Sequence, residues 1–575
     1  MNNLVRTGIL SLMLGTLVAT GTTVAKNPLK VDKNAAEFTQ FTYQGKDRIY
    51  DENPLNAGEF YTPILQGCYP DPSICKKGND YYLVNSSFAM FPGVPIFHST
   101  DLVNWKQIGY VLDRKSQLKV EDCGISAGIY APTIRYNAGN DTFYMITTQI
   151  SGNVGNMVVK TKDPMNGWSD PIKLDFAGID PDIFFDDNGK AYIIHNDAPD
   201  PGKELYNGHC VIKIWDYDVE KDCVVPGTSK ILVDGGVDLS KHPIWIEGPH
   251  MYKKDGKYYL MCAEGGTDDN HSEVVFISDS PKGTFKPWGN NPILSQRHLP
   301  KQRPNKMDWT GHADLVEGPD GQYYGVFLGV RPNAADLVNT GRETFLLPVD
   351  WSGTFPIFEN GLLPLECKLK TPAGVENMTG KNGFFPNGNF TFTESFQSPD
   401  LDLRWIGIRT DRNDFVTIGK KGGLKMVAFP STIKEVKPVS ALFYRLQHAR
   451  FSAETTLVFH PKNEQSLAGM TCYQSEAFNY VFGITKEGKE NVLLLAKTEK
   501  GKTQVLAKTP IDAKLPVKLQ VEGMDNDYRF NYAIGDGPVL NLGGIVSGAI
   551  LSTNVAGGFT GALVGLYSTS GNDIH

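Results

Sequence analysis

The sequence lacks the features of a nucleic-acid-binding protein, a membrane-spanning protein and a zinc protein. Its 575 residues carry 56 Lys and Arg against 64 Asp and Glu, so it has no positive excess for a phosphate backbone. Beyond the N-terminus no run is apolar enough to cross a bilayer. The eight cysteines are scattered and form no CxxC pair. A Cys210–Cys223 disulfide and incidental buried thiols are both left open by this pattern.

The one extended apolar run lies at the N-terminus. Arg6 precedes an apolar stretch over residues 9–19, and Thr23-Val24-Ala25 supplies a small-x-Ala cleavage pattern. A membrane anchor is the alternative, but the run is far shorter than the roughly 20 residues of a spanning helix. We therefore expect residues 1–25 to be a signal peptide and the protein to be exported, to the periplasm or the extracellular medium.

The composition is typical of a large β-rich protein. The chain has 59 Gly, 35 Pro and 11% aromatic residues, which favours many turns between short strands. At 41% hydrophobic residues it can bury large cores, and its length exceeds that of a usual single domain.

A hairpin-like motif recurs five times in the first two-thirds of the chain. Each copy starts at a small or charged residue, crosses apolar residues, turns, and ends at an aromatic pair or single aromatic residue. The five copies span residues 71–82, 131–144, 180–192, 247–259 and 312–324. The residues between copies suffice for two more strands each. The repeat therefore predicts a five-bladed β-propeller with four-stranded blades.

The first residues of the five copies are expected to point toward the propeller axis at one depth. They are Asp71, Ala131, Asp180, Glu247 and His312. Turn-forming chemistry explains any one of these acids, since Asp and Pro suit strand starts. It does not explain three acids at one phase of a repeat, because like charges brought together cost energy. We expect the three carboxylates to line one pocket.

Paired carboxylates facing one pocket are the arrangement of glycoside hydrolysis. Glu247 has the longer side chain and apolar neighbours, so desolvation favours its protonated form and the role of general acid. Asp71 is then assigned as the general base, and Asp180 as the carboxylate that raises the acid's pKa.

The chain resembles glycoside hydrolase family 43, the five-bladed propeller β-xylosidases and α-L-arabinofuranosidases, in particular the members with a C-terminal β-sandwich. The resemblance is carried by GCYPDPSICKKGNDYYLVNSSF, FPGVPIFHSTDLVNW, AGIYAPTIRY, GIDPDIFFDDNGKAY, IEGPHMYKKDGKYYL, GHADLVEGPDGQYYGVFLGVRP and GRETFLLPVDW, within residues 67–351. It implies Asp71 as base, Asp180 as pKa modulator and Glu247 as acid. It also implies an inverting mechanism.

The resemblance implies further sugar-binding residues. His312 is expected to hold the sugar, or water around a central cation, and Arg342 to contact sugar hydroxyls. Phe88 and Tyr130 are expected as apolar walls, and Phe559 as a lip from the second domain. Core packing, or a surface charge for Arg342, is the alternative for each. No cofactor is required, and a Ca²⁺ in the funnel beside His312 is left open.

Two features depart from the family pattern. Many family xylosidases have Trp where this chain has Tyr130, and the stretch at residues 195–209 does not match those xylosidases. The choice between xylose and arabinose therefore stays open.

The predicted architecture is all-β: a five-bladed propeller followed by a β-sandwich of the jelly-roll, concanavalin-like kind. The propeller is placed at residues 26–375, a Gly/Asn/Pro-rich linker at 376–390 and the sandwich at 391–575, where alternating strands resume. The sandwich could serve as support or as a carbohydrate-binding module.

The predicted function is exo-acting removal of a terminal pentose, β-D-xylose or α-L-arabinofuranose, from hemicellulose-derived oligosaccharides or polysaccharide side chains. Fructan hydrolases share the blade count, but their Asn-Asp-Pro-Asn-Gly and Arg-Asp-Pro segments are absent from the sequence. A propeller that only binds glycans is the non-enzymatic alternative, and the presence of all three acids argues against it.

Overall fold

The computed structural model describes residues 35–572 and residue 574. The predicted signal peptide lies outside these residues. Within them, no helix is both long and apolar enough to cross a membrane. Strands dominate the described chain, and the predicted all-β fold, a propeller followed by a sandwich, is confirmed.

The propeller consists of five antiparallel sheets, which we call blades 1–5. Blade 1 comprises Ser73–Lys77, Asp80–Val84, Gly93–Ser99 and Lys106–Leu112. Blade 2 comprises Gly128–Asn137, Thr142–Ile150, Gly155–Thr161 and Ile172–Lys173. Blade 3 comprises Ile179–Phe185, Ala191–Asp197, Val211–Asp218, Cys223–Val224 and Lys230–Asp234. Blade 4 comprises Glu247–Lys254, Lys257–Glu264, Ser272–Ser278, Lys286–Pro287 and Leu294–Ser295. Blade 5 comprises Asp308–Glu317, Tyr323–Val330, Glu343–Asp350 and Ile357–Phe358.

The first strand of each blade contacts the first strand of the next, and that of blade 5 contacts that of blade 1, which closes the ring. The segment before blade 1 adds hydrogen bonds across this closure. Glu59–Tyr61 pairs with Lys368–Lys370, and the Ile64 amide donates to the Thr344 carbonyl of blade 5 (2.8 Å). Because chain segments from both ends of the propeller meet here, blades 1 and 5 are tied by backbone hydrogen bonds.

A buried ionic cluster joins the five inner strands. The Arg135 guanidinium of blade 2 lies 2.7 Å from the Asp314 carboxylate of blade 5 and 3.0 Å from the Asp182 carboxylate of blade 3. Ser73 of blade 1 and Tyr252 of blade 4 donate hydroxyl hydrogen bonds to Asp314 (2.8 and 2.7 Å). Burial opposes ionisation of Asp314, but Arg135 holds its pKa below the usual range. The axis of the propeller is therefore filled by one hydrogen-bonded network.

Each inner strand begins with an irregular step at which one residue takes a left-handed backbone. These residues are Asp71, Ala131, Asp180, Gly248 and His312, with φ between 31° and 55°. In blades 2 to 5 the step coincides with a shift of strand register, as in a β-bulge. A bulge re-aims the side chain at its start, which turns these positions toward the axis.

The predicted repeat phase is wrong by one residue in blade 4, where Gly248 and not Glu247 is equivalent to Asp71, Asp180 and His312. The cause is the length of the turns, because a shorter turn brings the first residue of a copy closer to its last aromatic residue. Blades 1 and 4 turn on two residues, whereas the turns of blades 2, 3 and 5 are longer. The position in blade 4 that is equivalent to Asp71, 11 residues before Tyr82, is therefore Gly248, 11 residues before Tyr259. Glycine is required at 248 because a Cβ there would lie 2.7 Å from the His312 ring.

The sandwich is built from two antiparallel sheets. The larger sheet contains, in spatial order, Val416–Ile418, Leu424–Met426, Ala36–Gly45, Arg450–Val458, Val517–Met524, Asp527–Ile534 and Leu540–Ser547, with Thr391–Glu394 also paired to Ala36–Gly45. The smaller sheet contains Ala441–Arg445, Leu563–Thr569, Leu467–Ser475, Phe478–Glu487, Glu490–Glu499 and Lys502–Pro510. Their facing side chains form a core rich in Phe, Tyr, Leu and Val.

The N-terminal strand Ala36–Gly45 differs from the predicted boundary, which placed residues from 26 onward in the propeller. It pairs with Arg450–Val458 on one side and with Thr391–Glu394 and Leu424–Met426 on the other. Its apolar side chains, including Phe38 and Phe41, are fully buried in the sandwich core. The sandwich is therefore assembled from both ends of the chain.

The remaining elements are short. They are the helices Arg48–Glu52 and Thr553–Ala556, the 3-10 turns Leu239–Lys241, Pro372–Gly374, Arg412–Asp414 and Gly548–Leu551, and the pair Met90–Phe91 with Gly407–Ile408. All eight cysteines are free thiols, so Cys210 and Cys223 form no disulfide in this structure.

Candidate active site

A pocket of about 270 Å³ opens at the end of the propeller where the inner strands begin. Its volume is just below the usual range for ligand pockets, about 300–1,000 Å³. The lining comprises Asp71, Phe88, Tyr130, Ala131, Ile179, Asp180, Asn196, Cys210, Trp245, Glu247, Thr267, Arg342 and Phe559. The structure thus brings the three predicted acids together with four of the five predicted sugar-binding residues. The fifth, His312, lies beneath them against Asp180.

The three carboxylates are held by different partners. Asp71 accepts a hydrogen bond from the Ser86 hydroxyl (2.5 Å), and that hydroxyl in turn accepts one from the Ala131 amide (2.7 Å). Asp180 accepts a hydrogen bond from the Gly248 amide (3.2 Å) and lies 3.6 Å from Nε2 of His312. Because Gly248 directly follows Glu247, the bond to Asp180 fixes the start of the strand that carries the third acid.

Glu247 and His312 have strongly shifted acidity. Burial and the negative charges of Asp180 and Asp71 together raise the pKa of Glu247 to about 8, although the cations His312 and Arg342 act to lower it. For His312 burial opposes the charge, but the contact with Asp180 and the nearby carboxylates raise its pKa to about 10. At neutral pH Glu247 is therefore protonated, and His312 is a cation paired with Asp180.

One wall of the pocket is a cluster of three aromatic rings. Phe88 stacks on Phe559 with ring centroids 6.4 Å apart, and Tyr130 meets both rings edge to face at 5.7 Å. The Arg342 guanidinium lies over the Phe559 ring at 5.1 Å. Its Nε is buried without a hydrogen-bond partner among the described residues, so the group has capacity for a ligand hydroxyl.

The Phe559 ring belongs to the sandwich, so the pocket is formed by both domains. The amide of Phe559 donates to the Ser126 hydroxyl (3.0 Å) in the loop before blade 2. The Tyr130 hydroxyl donates to the Ser126 carbonyl (2.7 Å). One loop residue therefore connects two of the three rings of the wall.

The calcium alternative has no preformed cluster of metal-binding side chains in its favour. Among the described residues, no group of three or more His, Cys, Asp and Glu could hold a metal ion. The buried Nδ1 of His312 has no hydrogen-bond partner among the described residues. In the cationic form of His312 this nitrogen carries a proton and offers no lone pair to a metal, and Ca²⁺ takes six to eight ligands, mostly oxygen.

Several pocket residues were not predicted from the sequence. Ser86 could have been found, because it stands two residues before Phe88 in the same motif. Asn196, Cys210, Trp245 and Thr267 carry no local signal, since loops and second strands bring them to the pocket.

The arrangement supports proton transfer at both ends of one bond. A protonated Glu247 can donate to a leaving oxygen, and a carboxylate across the pocket can accept a proton from water. The aromatic wall offers an apolar surface for a sugar ring, and Arg342 offers donors for its hydroxyls.

Comparison with protein-family models gives two matches. Residues 60–355 match the model described as Glycosyl hydrolases family 43, and residues 393–574 match the Beta xylosidase C-terminal Concanavalin A-like domain. The first match covers the propeller and the second the sandwich after its N-terminal strand.

Curated relatives span almost the whole chain. A "Xylosidase/arabinosidase" of Butyrivibrio fibrisolvens is 37% identical over 517 residues, which cover 88% of this chain and 95% of the relative. A "Non-reducing end alpha-L-arabinofuranosidase BoGH43B" of Bacteroides ovatus is 34% identical, covering 89% and 92%.

Solved structures agree with these matches. A GH43_12 structure retrieved from a capybara gut metagenome is 61% identical, with a TM-score of 0.90, and covers 93% of this chain and 100% of that one. The xylan β-1,4-xylosidase of Bacillus halodurans C-125 is 28% identical, with a TM-score of 0.79, covering 89% and 97%. By fold, by pocket and by these matches, the chain belongs to glycosyl hydrolase family 43.

Proposed function

We propose that the protein is an exo-acting, inverting glycoside hydrolase that releases a terminal pentose, β-D-xylose or α-L-arabinofuranose, from hemicellulose-derived oligosaccharides or side chains. The observation that carries the proposal is Glu247, whose pKa is raised to about 8 in a pocket it shares with two further carboxylates. A carboxylic acid that keeps its proton at neutral pH is what protonation of a leaving oxygen requires.

Each acid is assigned one step. Glu247 donates its proton to the glycosidic oxygen as the bond to the anomeric carbon breaks. Asp71, held by Ser86, removes a proton from the water that attacks the opposite face of the sugar. Asp180 keeps Glu247 protonated through its charge and anchors His312, which lies at the bottom of the pocket.

The small pocket favours action on chain ends. A cavity of about 270 Å³ accommodates little more than one sugar unit, and Phe559 with its neighbouring rings closes one side. A polysaccharide chain cannot pass through such a cavity, whereas its terminal unit can enter.

Both pentoses belong to the proposal, because relatives carry the names xylosidase and arabinofuranosidase. The test is a panel of aryl glycosides: β-xyloside, α-arabinofuranoside, α-arabinopyranoside and β-galactoside. We expect activity on one or both of the first two. NMR of the first-formed sugar should show an inverted anomer, and a retained anomer would contradict the assignment of Asp71 as base.

The rival function is glycan binding without catalysis. Glu247→Gln separates the two, because the amide keeps the shape of the acid but has no acidic proton to transfer to the leaving oxygen. We expect turnover to fall at least about 10³-fold while sugar binding persists. A wild-type protein that binds pentosides without cleaving them would favour the binding function.

The family chemistry needs no cofactor. A Ca²⁺ ion beside His312 is retained as a proposal, tested by EDTA treatment followed by calcium restoration. Export is likewise proposed from the first 25 residues, and N-terminal sequencing of the mature protein should show cleavage after Ala25.

A further inference from the structure

One part of the pocket rim is not used by the mechanism above. It is formed by residues 198–210, which overlap the stretch at 195–209 that departs from family xylosidases, and by residues 234–245, which lead into blade 4. The Tyr206 hydroxyl donates to the Pro243 carbonyl (2.7 Å), and the Tyr206 ring stacks on His242 at 4.6 Å. His209 contacts Asp234 at 2.7 Å. These contacts make the two segments one packed unit, which we call the rim loops.

The rim loops present Trp245 at the pocket mouth. Its side chain lines the pocket, yet the residue is 42% exposed, whereas Asp180 and His312 below are 6% and 7% exposed. Two neighbours along the rim, Leu205 and Ile244, are 61% and 44% exposed. An apolar patch of this kind beside a cavity is typical of a binding surface.

The backbone of Trp245 is held in an unfavourable conformation. Its φ is +48°, in the left-handed region that bulky residues avoid, at a cost of about 1–3 kcal/mol. The amide donates to the Gly208 carbonyl (3.0 Å), and Ile244 accepts a hydrogen bond from the Gly265 amide (2.9 Å). The indole edge lies against Gly208, where an added Cβ would be 3.5 Å from Nε1. The fold therefore holds an exposed indole in place although its backbone conformation is strained.

The position of Trp245 relative to Glu247 indicates what the indole contacts. Ile246 between them is fully buried in the core shared by blades 3 and 4, while Trp245 and Glu247 both face the pocket. Two residues span at most about 7 Å of chain, roughly one sugar ring. A leaving group protonated by Glu247 therefore emerges beside the indole.

We infer that Trp245 is the stacking platform for the leaving-group sugar, an inference that rests on the function proposed above. The matching ligand is an uncharged pyranose with C–H groups on its face, such as a xylose unit of a xylan chain. A flat apolar ring contacts a C–H face over a large area, whereas a furanose is smaller and puckered. The enzyme then prefers a pentose attached to a pyranose backbone over one attached to another furanose.

The test compares substrates that share the released pentose but differ in the leaving group. They are a pentosyl-xylobiose, the corresponding methyl glycoside and a pentosyl-arabinofuranose, assayed with wild type, Trp245→Ala and Trp245→Phe. For Trp245→Ala we expect kcat/KM on the xylobiose substrate to fall at least tenfold, and on the methyl glycoside less than twofold. Trp245→Phe should retain most of the activity, because a planar ring remains.

Product inhibition gives a second readout, which reports binding of the leaving group and not its cleavage from the pentose. Inhibition by xylobiose should weaken about tenfold in Trp245→Ala, while inhibition by the free pentose stays unchanged. Leu205→Ala is the matched control, because Leu205 lies on the same patch but does not line the pocket. It should change neither substrate nor inhibitor constants more than twofold.

Equal losses of kcat/KM on all three substrates would overturn the inference, because the indole would then shape the pocket as a whole. No loss on any of them would also overturn it, because the indole would then contact nothing. A loss in Leu205→Ala as large as in Trp245→Ala would also overturn it. Failure of the proposed function looks different, because the wild-type protein itself would then cleave none of the three pentosides.

Discussion

Neutralising Glu247 should stabilise the protein, and increasingly so as the pH rises. In the unfolded chain the carboxyl has its ordinary pKa of 4.5, and in the folded chain the pKa is about 8. Between these values the folded protein keeps a proton that the unfolded protein has released. Stability therefore falls as pH rises through this window, and the full loss of unfolding free energy from this group is reached above pH 8.

The magnitude follows from the two pKa values. Integrating the linkage relation from pH 5 to pH 9 gives a loss of about 4 kcal/mol of unfolding free energy from this one group. This value is an upper bound, because Glu247 is partly exposed and water that enters the pocket reduces the free-energy penalty of its ionisation. In Glu247→Gln the titration is absent, so we expect a gain of about 2–4 kcal/mol over wild type at pH 9 and less than about 1 kcal/mol at pH 5.

Chemical denaturation at the two pH values measures this difference directly. All other titrating groups are shared by the two proteins, so their effects cancel to first order. Glu220→Gln, at an exposed turn of blade 3, is the matched control and should show no pH-dependent gain. If the advantage of Glu247→Gln at pH 9 equals that at pH 5, Glu247 is ionised in the folded protein near neutrality, and its assignment as general acid fails.

Three further predictions follow from other parts of the site. The kcat/KM of the wild type should fall with an apparent pKa of about 8 on the alkaline side, where Glu247 loses its proton, and a pH–rate profile without this limb would contradict its role. Phe559→Ala should raise KM about tenfold with smaller loss in kcat, because it removes a pocket wall outside the proton-transfer groups, and a pure kcat effect would refute this. Asp314→Asn should lower the free energy of unfolding by about 3–5 kcal/mol in a denaturation assay, because Arg135 is left as a buried cation without its full set of partners. Asp187→Asn, at an exposed turn, should lower it by less than about 1 kcal/mol in the same assay.

The parts of the fold that could be predicted are those that local, repeated sequence patterns determine. Hairpins with a turn and an aromatic end recur five times, so the blades could be counted from the sequence. Asp71 and Asp180 each precede a proline at the same phase of this repeat, which was enough to expect them in one pocket. These predictions did not depend on contacts between distant segments of the chain.

The parts that were not predicted depend on contacts between distant segments. Glu247 was placed one residue out of phase because turn length, which sets the register, is not visible in the aromatic spacing. The strand Ala36–Gly45 was assigned to the propeller because its paired residues lie 347 to 421 positions further along the chain. Trp245 stood next to the acid in the sequence, but only the packing of the rim loops brings its ring to the pocket mouth.

The interlock between the two domains explains why the pocket holds little more than one sugar. The Arg445 guanidinium of the sandwich is buried, donates to the Cys68 carbonyl (3.0 Å) and lies over the Tyr69 ring at 4.5 Å, two residues before Asp71. Beside Cys68, Gly341 of the propeller approaches Gly561 of the sandwich so closely that an added Cβ would be 2.6 Å from its amide nitrogen. The Phe559 ring of the sandwich closes one side of the pocket that the propeller acids line. Because the sandwich fixes both the segment that carries Asp71 and the ring of Phe559, selection of chain ends is a property of the joined domains and not of the propeller by itself.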